Sequence, residues 1–286
     1  MRGFFYILHF KIITLRAKID FKNFRIMETG RKNHTVERRR EILNRLSSQG
    51  HIFIDELKRE FEVSEVTIRN DLEQLEKKGL LIRVRGGAIK AESAVGLDIH
   101  ISEKNKMHYP EKARIGKKAA SLIKDHETII IDSGTTTFEV AKNLNHLRGL
   151  TVISNALNII SHLANNSDLQ LIVPGGYLRR NSLSLVGPLA EKNFQNLFVD
   201  KLFLGVDGII ASQGIYTPNL EEAHLNELMI KNAREVIVVT DSSKFQRKSL
   251  AFICSIDKIG TLVTDEGITP EDKKKLEDQG VTVVIA

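Results

Sequence analysis

From Phe61 to Gly79 the chain spells out a helix with both of its ends marked. Ile68, Leu72 and Leu75 recur at helical spacing and form one apolar stripe. Ser64 stands where a cap accepts a backbone N–H, and Gly79 stands where the helix must stop. Off the stripe lie Glu65, Thr67, Arg69 and Asn70, polar groups on the first turns of a helix, the part of a helix-turn-helix that reaches base edges and phosphates in a major groove. The chain then alternates apolar and basic residues through Leu81, Arg83 and Arg85 to Gly86-Gly87, a strand with a tight tip. Upstream, Ile42, Leu43 and Leu46 share one side of a helix over 36–46, with Arg38, Arg39, Arg40 and Arg45 around them. Asp55 is expected to cap a second helix carrying Leu57 and Phe61, and Glu62-Val63 to turn the corner into the third. The result is an N-terminal winged helix-turn-helix, helical with a small β wing. An ordinary three-helix bundle with solvated arginines explains the charge but not the cap, stop and basic hairpin together. The expected DNA-binding residues are Arg39, Ser64, Glu65, Thr67, Arg69, Asn70, Arg83 and Arg85.

Charge divides the chain in the same place. Residues 1–90 carry 20 lysines and arginines against 12 aspartates and glutamates, a net +8, whereas residues 91–286 carry 22 against 24, a net −2. A basic head on a near-neutral body places double-stranded DNA at the head and a small ligand at the body. The 286 residues exceed what one winged helix needs, so a second domain follows. A single cysteine, Cys254, permits no internal disulfide and no ordinary zinc site. Residues 1–30 fit neither part. Their apolar run, Phe4 to Phe10, is too short to span a bilayer and is followed by Lys11, Arg16 and Lys18, so the expectation is a disordered or mis-started extension and a cytoplasmic protein. The winged helix-turn-helix is assigned to 31–90, a polar linker to 91–111 and the second domain to 112–286, beginning with a helix near Lys112 to Ile123.

Beyond the linker, near-continuous β-branched runs begin at Thr128, Leu150, Leu169, Lys201, Glu235, Ile259 and Val281. Each reads as a strand buried on both faces. Helical stretches at Phe138–Leu144, Leu220–Ala233 and Pro270–Gln279 separate some of them, which predicts an α/β domain with a mostly parallel sheet. In such a sheet ligands bind beyond the carboxyl ends of the strands. Those ends hold Asp132-Ser133-Gly134-Thr135-Thr136, Ser154-Asn155, Gly175-Gly176 with Arg179 and Arg180, Asp207-Gly208, and Asp241 to Lys244. The first is either a phosphate cradle leading into a helix N-terminus or a plain Ser/Thr-rich turn. Five polar or glycine-rich ends on one edge favour a ligand site. Asp132 and Gly176 serve either ligand or loop, and Arg179 and Arg180 either ligand or oligomer.

Two sets of motifs resemble one family. Arg39-x-x-Ile42-Leu43, Val63-Ser64-x-x-Thr67-Ile68-Arg69-x-Asp71-Leu72 and Arg83-x-x-Gly86-Gly87-Ala88 are similar to the DNA-binding head of the DeoR family of bacterial transcription regulators. Many members carry a second arginine where this chain has Asn70, and asparagine suits adenine where arginine suits guanine. Asp132 to Thr137, Ser154-Asn155, Gly175-Gly176, Gly205 to Gly208, Glu222-Ala223 and Asp241 to Lys244 are similar to the same family's sensor domain, which in turn resembles ribose-5-phosphate isomerase.

The resemblance implies a phosphorylated-sugar effector. It places Gly134, Thr135 and Thr136 on the phosphate, Asn155, Asp207 and Glu222 on sugar hydroxyls, and Lys244 nearby as a counter-charge, with Ser133, Gly175 and Gly208 in the adjoining loops. It implies a repressor of a sugar or amino-sugar operon, released from operator DNA by that effector. The alternative is a sugar-phosphate isomerase-like enzyme fused to a DNA-binding module, with Asp207, Glu222 and Lys244 as acid, base and cation. No catalysis, metal, cofactor or membrane partner is expected. A homo-oligomer, dimer or tetramer, is expected because one winged helix makes few base contacts.

Overall fold

A computed structural model describes residues 35–46, 51–77, 80–84, 86–89 and 98–286. The extension 1–30, Gly79 and Arg85 lie outside the described residues. The chain divides into two compact units, 1–93 and 94–286.

The N-terminal unit runs α1 (35–46), β1 (His51–Phe53), α2 (Ile54–Glu60), α3 (Glu65–Glu76), β2 (Ile82–Val84) and β3 (Gly87–Ile89). β3 pairs antiparallel with both β1 and β2, so the wing is a three-stranded sheet in the order β1-β3-β2. Ile42, Leu46, Leu57, Ile68, Leu72, Leu75 and Leu81 form one core. Each fully buried leucine or isoleucine contributes about 1.5–3 kcal/mol, which lets a unit this small hold three helices together. Ser64 caps α3 as its sequence position requires, its Oγ accepting from Thr67 N at 3.2 Å. Asp55 does not cap α2. That helix starts two residues earlier, capped from Phe53, because Ile54 N donates to Gly86 O at 2.8 Å across the wing, and Asp55 falls in the first turn. Glu62, at φ +50°, makes the corner between α2 and α3.

The C-terminal unit is built on a seven-stranded parallel sheet. Its strands are β4 (Thr128–Ile131), β5 (Leu150–Ser154), β6 (Leu169–Ile172), β9 (Val199–Gly205), β12 (Ala233–Val239), β14 (Thr261–Thr264) and β15 (Thr282–Ile285), in the order β15-β14-β12-β9-β4-β5-β6. All seven runs expected from the sequence are in it. Successive residues point to opposite faces: Ile130, Leu202, Leu204, Val236 and Val238 enter one core, and Ile129, Ile131, Phe203, Ile237 and Val239 the other. Covering both faces are α5 (Tyr109–Ala120), α6 (Thr135–Ala141), α7 (Leu157–Leu163), α8 (Pro188–Phe194), α9 (Leu220–Lys231) and α10 (Pro270–Glu277). Two short additions, absent from the sequence expectation, are a hairpin of β7 (Tyr177–Arg179) and β8 (Ser184–Val186), and an antiparallel sheet of β10 (Gly208–Ile210), β11 (Gly214–Thr217) and β13 (Ala251–Ser255).

The amino end of this unit differs from expectation. Residues 98–111, expected in the linker, carry α4 (Ile101–Lys104) and the start of α5, with Pro110 in the first turn where its missing N–H costs nothing. Ile101 is buried and its N–H donates to Asn181 O at 2.7 Å. Among the described residues no helix is long and apolar enough to cross a membrane.

Candidate DNA interface and effector site

α3 presents Glu65, Arg69 and Asn70 to solvent, with Thr67 partly covered by its bond to Ser64. Glu65 and Arg69, one turn apart, pair at 2.6 Å. Exposed pairs of this kind contribute only about 0.3–0.5 kcal/mol, so Arg69 is held ready and is free to leave for a base or phosphate. Val66, 66% exposed, was missed by sequence reasoning. Its signal was an apolar residue out of phase with Ile68, Leu72 and Leu75, in the first turn of α3.

Arg39 is differently employed. Its Nε donates to Asp71 Oδ1 at 2.7 Å while Arg38 Nε donates to Oδ2 at 2.6 Å, and Asp71 is buried. The two arginines therefore clamp α1 to α3, and the buried acid on α3 belongs to the frame. Arg83 lies on the wing, its backbone N–H donating to Glu76 Oε1 at 2.8 Å. We expect Arg69→Ala to lose about 1–3 kcal/mol of operator affinity with the thermal melt of the N-terminal unit barely moved. A gel-shift titration giving equal affinities would remove Arg69 from the interface.

In the body, strand order reverses direction between β4 and β9, the first and fourth strands of the sheet in sequence, and the crevice at that switch point is where a doubly wound sheet binds ligands. The loop after β4 supplies Asp132 to Thr136, closed against β9 by Asp132 N donating to Phe203 O at 3.0 Å. Gly134 takes φ +155°, and a Cβ there would meet Thr137 Oγ1 at 2.9 Å, so the turn into α6 needs glycine. α6 follows immediately, starting three residues before the expected Phe138, so Thr135 and Thr136 occupy its first turn and are buried.

Two polar clusters flank this turn. In the first, Lys104 Nζ donates to Asp207 Oδ1 at 2.7 Å and Lys244 Nζ lies 3.8 Å from the same oxygen. Burial alone would raise the Asp207 carboxyl, but Lys104 and Lys244 outweigh it and hold it at about 2. Burial lowers Lys244, with Asp207 and Asp241 opposing. Burial also brings Lys112 down to about 8, against the pull of Asp241. In the second cluster, Glu222 accepts from Arg179 and Ser184, each at 2.8 Å. The Arg179 guanidinium also reaches Asp98. Asn226, oriented by its partners, donates to Asp132 Oδ1 at 3.3 Å and to Glu222 O at 3.2 Å, so it joins the β4 loop to α9. Burial, followed by the charge on Glu222, raises the Asp132 carboxyl well above the usual range.

Asn155 is buried beside β8, its carbonyl accepting from Leu185 N at 2.7 Å while its Oδ1 has no protein partner. The remaining expected residues are less directed. Ser133 donates toward Asp132 at 3.5 Å, and Gly175 borders open space. Gly176 is structural: at φ +121° it lies against Val186 O, which a Cβ would meet at 2.6 Å. Gly208 packs as tightly on Arg247 O. Among the described residues, no group of three metal-ligating side chains occurs.

Two family models match the chain: the DeoR-like helix-turn-helix domain over residues 38–94 and the DeoR C-terminal sensor domain over 107–266, more than half of the chain. The chain belongs to the DeoR family. It is 39% identical over 252 residues to a putative aga operon transcriptional repressor of Escherichia coli O157:H7, covering 88% of this chain and 94% of that one. It is 36% identical over 248 residues to an uncharacterized HTH-type transcriptional regulator, YulB, of Bacillus subtilis, covering 87% and 95%. Of solved structures, a ribose 5-phosphate isomerase from Plasmodium falciparum overlaps 48% of this chain and 52% of its own at a TM-score of 0.35 and 16% identity, too little to carry a property across.

This DeoR-family chain is thus a DNA-binding transcription regulator with a sensor body. Sequence reasoning missed Asp98, Lys104 and Lys112 in that body, because the first two sit in what reads as polar linker, the third in the helix after it, and only the folded chain brings them to the strand ends.

Proposed function

We propose that this protein represses a sugar or amino-sugar operon and leaves its operator when a phosphorylated sugar binds the body. The observation that carries the reading is the convergence, at the β4/β9 switch point, of the Gly134–Thr136 turn with Asn155, Glu222 and the Asp207–Lys244 pair. In this reading the phosphate lies on the turn and near Lys244, where backbone N–H groups and an ammonium meet a dianion. Asn155, Asp207 and Glu222 supply the acceptors that sugar hydroxyls need. The name of the Escherichia coli relative, an operon repressor, supports the repressor part. The curated relatives are named as transcriptional regulators, which favours a binding pocket over a catalytic one.

Calorimetry with glucose 6-phosphate, galactosamine 6-phosphate and ribose 5-phosphate tests the reading. At least one is expected to bind, and Lys244→Met to weaken it roughly 10- to 150-fold, the worth of one charge-assisted hydrogen bond. Binding of none of them, or undiminished binding by Lys244→Met, would refute it.

A further inference from the structure

Two carboxylates assigned above to sugar hydroxyls are already tied to one stretch of chain. Residues 98–108 lead, through 91–97, toward the DNA-binding unit. At one end of this stretch, Asp98 shares the Arg179 guanidinium with Glu222 and accepts from Asn181 Nδ2 at 2.9 Å. At the other end, Lys104 donates to Asp207 at 2.7 Å, while its own carbonyl accepts from the buried Lys112 ammonium at 2.7 Å. Between these points the stretch is thinly attached. α4 is four residues long, and Ile101 is its one buried side chain. His108, at φ +51°, breaks the chain direction before α5. The hold is therefore mostly polar, made by cations for which a ligand dianion can compete.

We propose that residues 98–108 form a strap that the effector displaces: an anionic polyol entering the crevice takes Lys104 from Asp207 and Arg179 from Asp98, and the freed strap lowers the operator affinity of the unit it leads to. This rests on the effector reading above for the identity of the displacing group, but not for the strap itself. Lys104 and Lys244 reach the same Asp207 oxygen, so a phosphate dianion near Lys244 outcompetes that carboxylate for Lys104, while sugar hydroxyls donating to Glu222 draw it away from the Arg179 guanidinium that Asp98 shares. The latched form corresponds to the operator-binding state. The ligand's differential affinity for the two forms sets how far the equilibrium moves.

The test uses the full chain, with the duplex upstream of its own gene and no sugar phosphate. Asp98→Asn combined with Lys104→Met removes both latches while leaving the apolar contacts. Operator affinity is expected to fall roughly tenfold, within the usual range of allosteric coupling, and amide exchange over 98–108 to accelerate while the sheet keeps its protection. Asp98→Asn alone, isosteric and so tolerated by the fold, should give a smaller change in both readouts. Parental operator affinity despite accelerated exchange over 98–108 would overturn the coupling. Unchanged exchange in both variants would overturn the latch. Calorimetry of the parent with the three sugar phosphates is read separately: absence of binding sinks the effector reading, whereas the strap is judged on the ligand-free variants.

Discussion

Asp71→Ala should unfold the DNA-binding unit while leaving the body intact. Asp71 is 2% exposed and holds Arg38 and Arg39, themselves 12% and 27% exposed, so its removal leaves two part-buried cations without their shared carboxylate. Breaking a buried pair from one side costs about 3–5 kcal/mol, and a unit of this size has little more than that to lose. Circular dichroism should show the low-temperature component of the melt displaced or absent, with the sheet's transition in place and operator binding lost at any salt concentration. A melt shifted by only a degree or two would mean that the clamp between α1 and α3 is dispensable, and that the two arginines are available to phosphate after all.

Arg179→Met is expected to have the second largest effect, this time in the body. Its guanidinium lies between Asp98 and Glu222, and without it two carboxylates, 22% and 10% exposed, face each other with only hydroxyl and amide donors left. The expected cost is again about 3–5 kcal/mol, reduced to the extent that Asp98 swings into solvent. Chemical denaturation monitored on the sheet reads it. A loss below about 1 kcal/mol, the worth of an exposed pair, would show that Arg179 is a surface residue and does not tie the hairpin to α9.

The main sheet was legible because strands buried on both faces must be apolar throughout. The runs at Thr128, Leu150 and Lys201 can bury nothing as helices that they do not bury better as strands. α3 was legible for a local reason, since Ser64 and its stripe act within one helix. What escaped notice depends on partners far along the chain. α4 is too short to be stable by propensity and exists because Ile101 bonds to Asn181 and Lys104 reaches Asp207, 103 residues away. The strands of the β7–β8 hairpin and of the β10–β11–β13 sheet are three to five residues long, below the length at which a pattern separates them from loop. The bond from Arg39 to Asp71 escaped notice for a related reason: on α1 Arg39 is one of several basic residues, and only the fold places Asp71 beneath it. In the candidate site, Asp207 and Lys244 were named because they follow strands, and Glu222 because of the family resemblance. Their partners Lys104, Arg179 and Asp98 became assignable only once the chain was folded.

In the proposed function, one chain couples a sugar phosphate in the body to DNA in the head. The most direct test of this coupling is fluorescence anisotropy of a labelled operator duplex bound to the full-length protein, titrated with each of the three sugar phosphates at constant ionic strength, since added charge alone weakens DNA binding. Saturable release is predicted for at least one of them, at a concentration matching its calorimetric affinity, with inorganic sulfate at equal ionic strength releasing none. A sugar phosphate that binds the body by calorimetry yet leaves operator anisotropy unchanged at saturation would contradict the account.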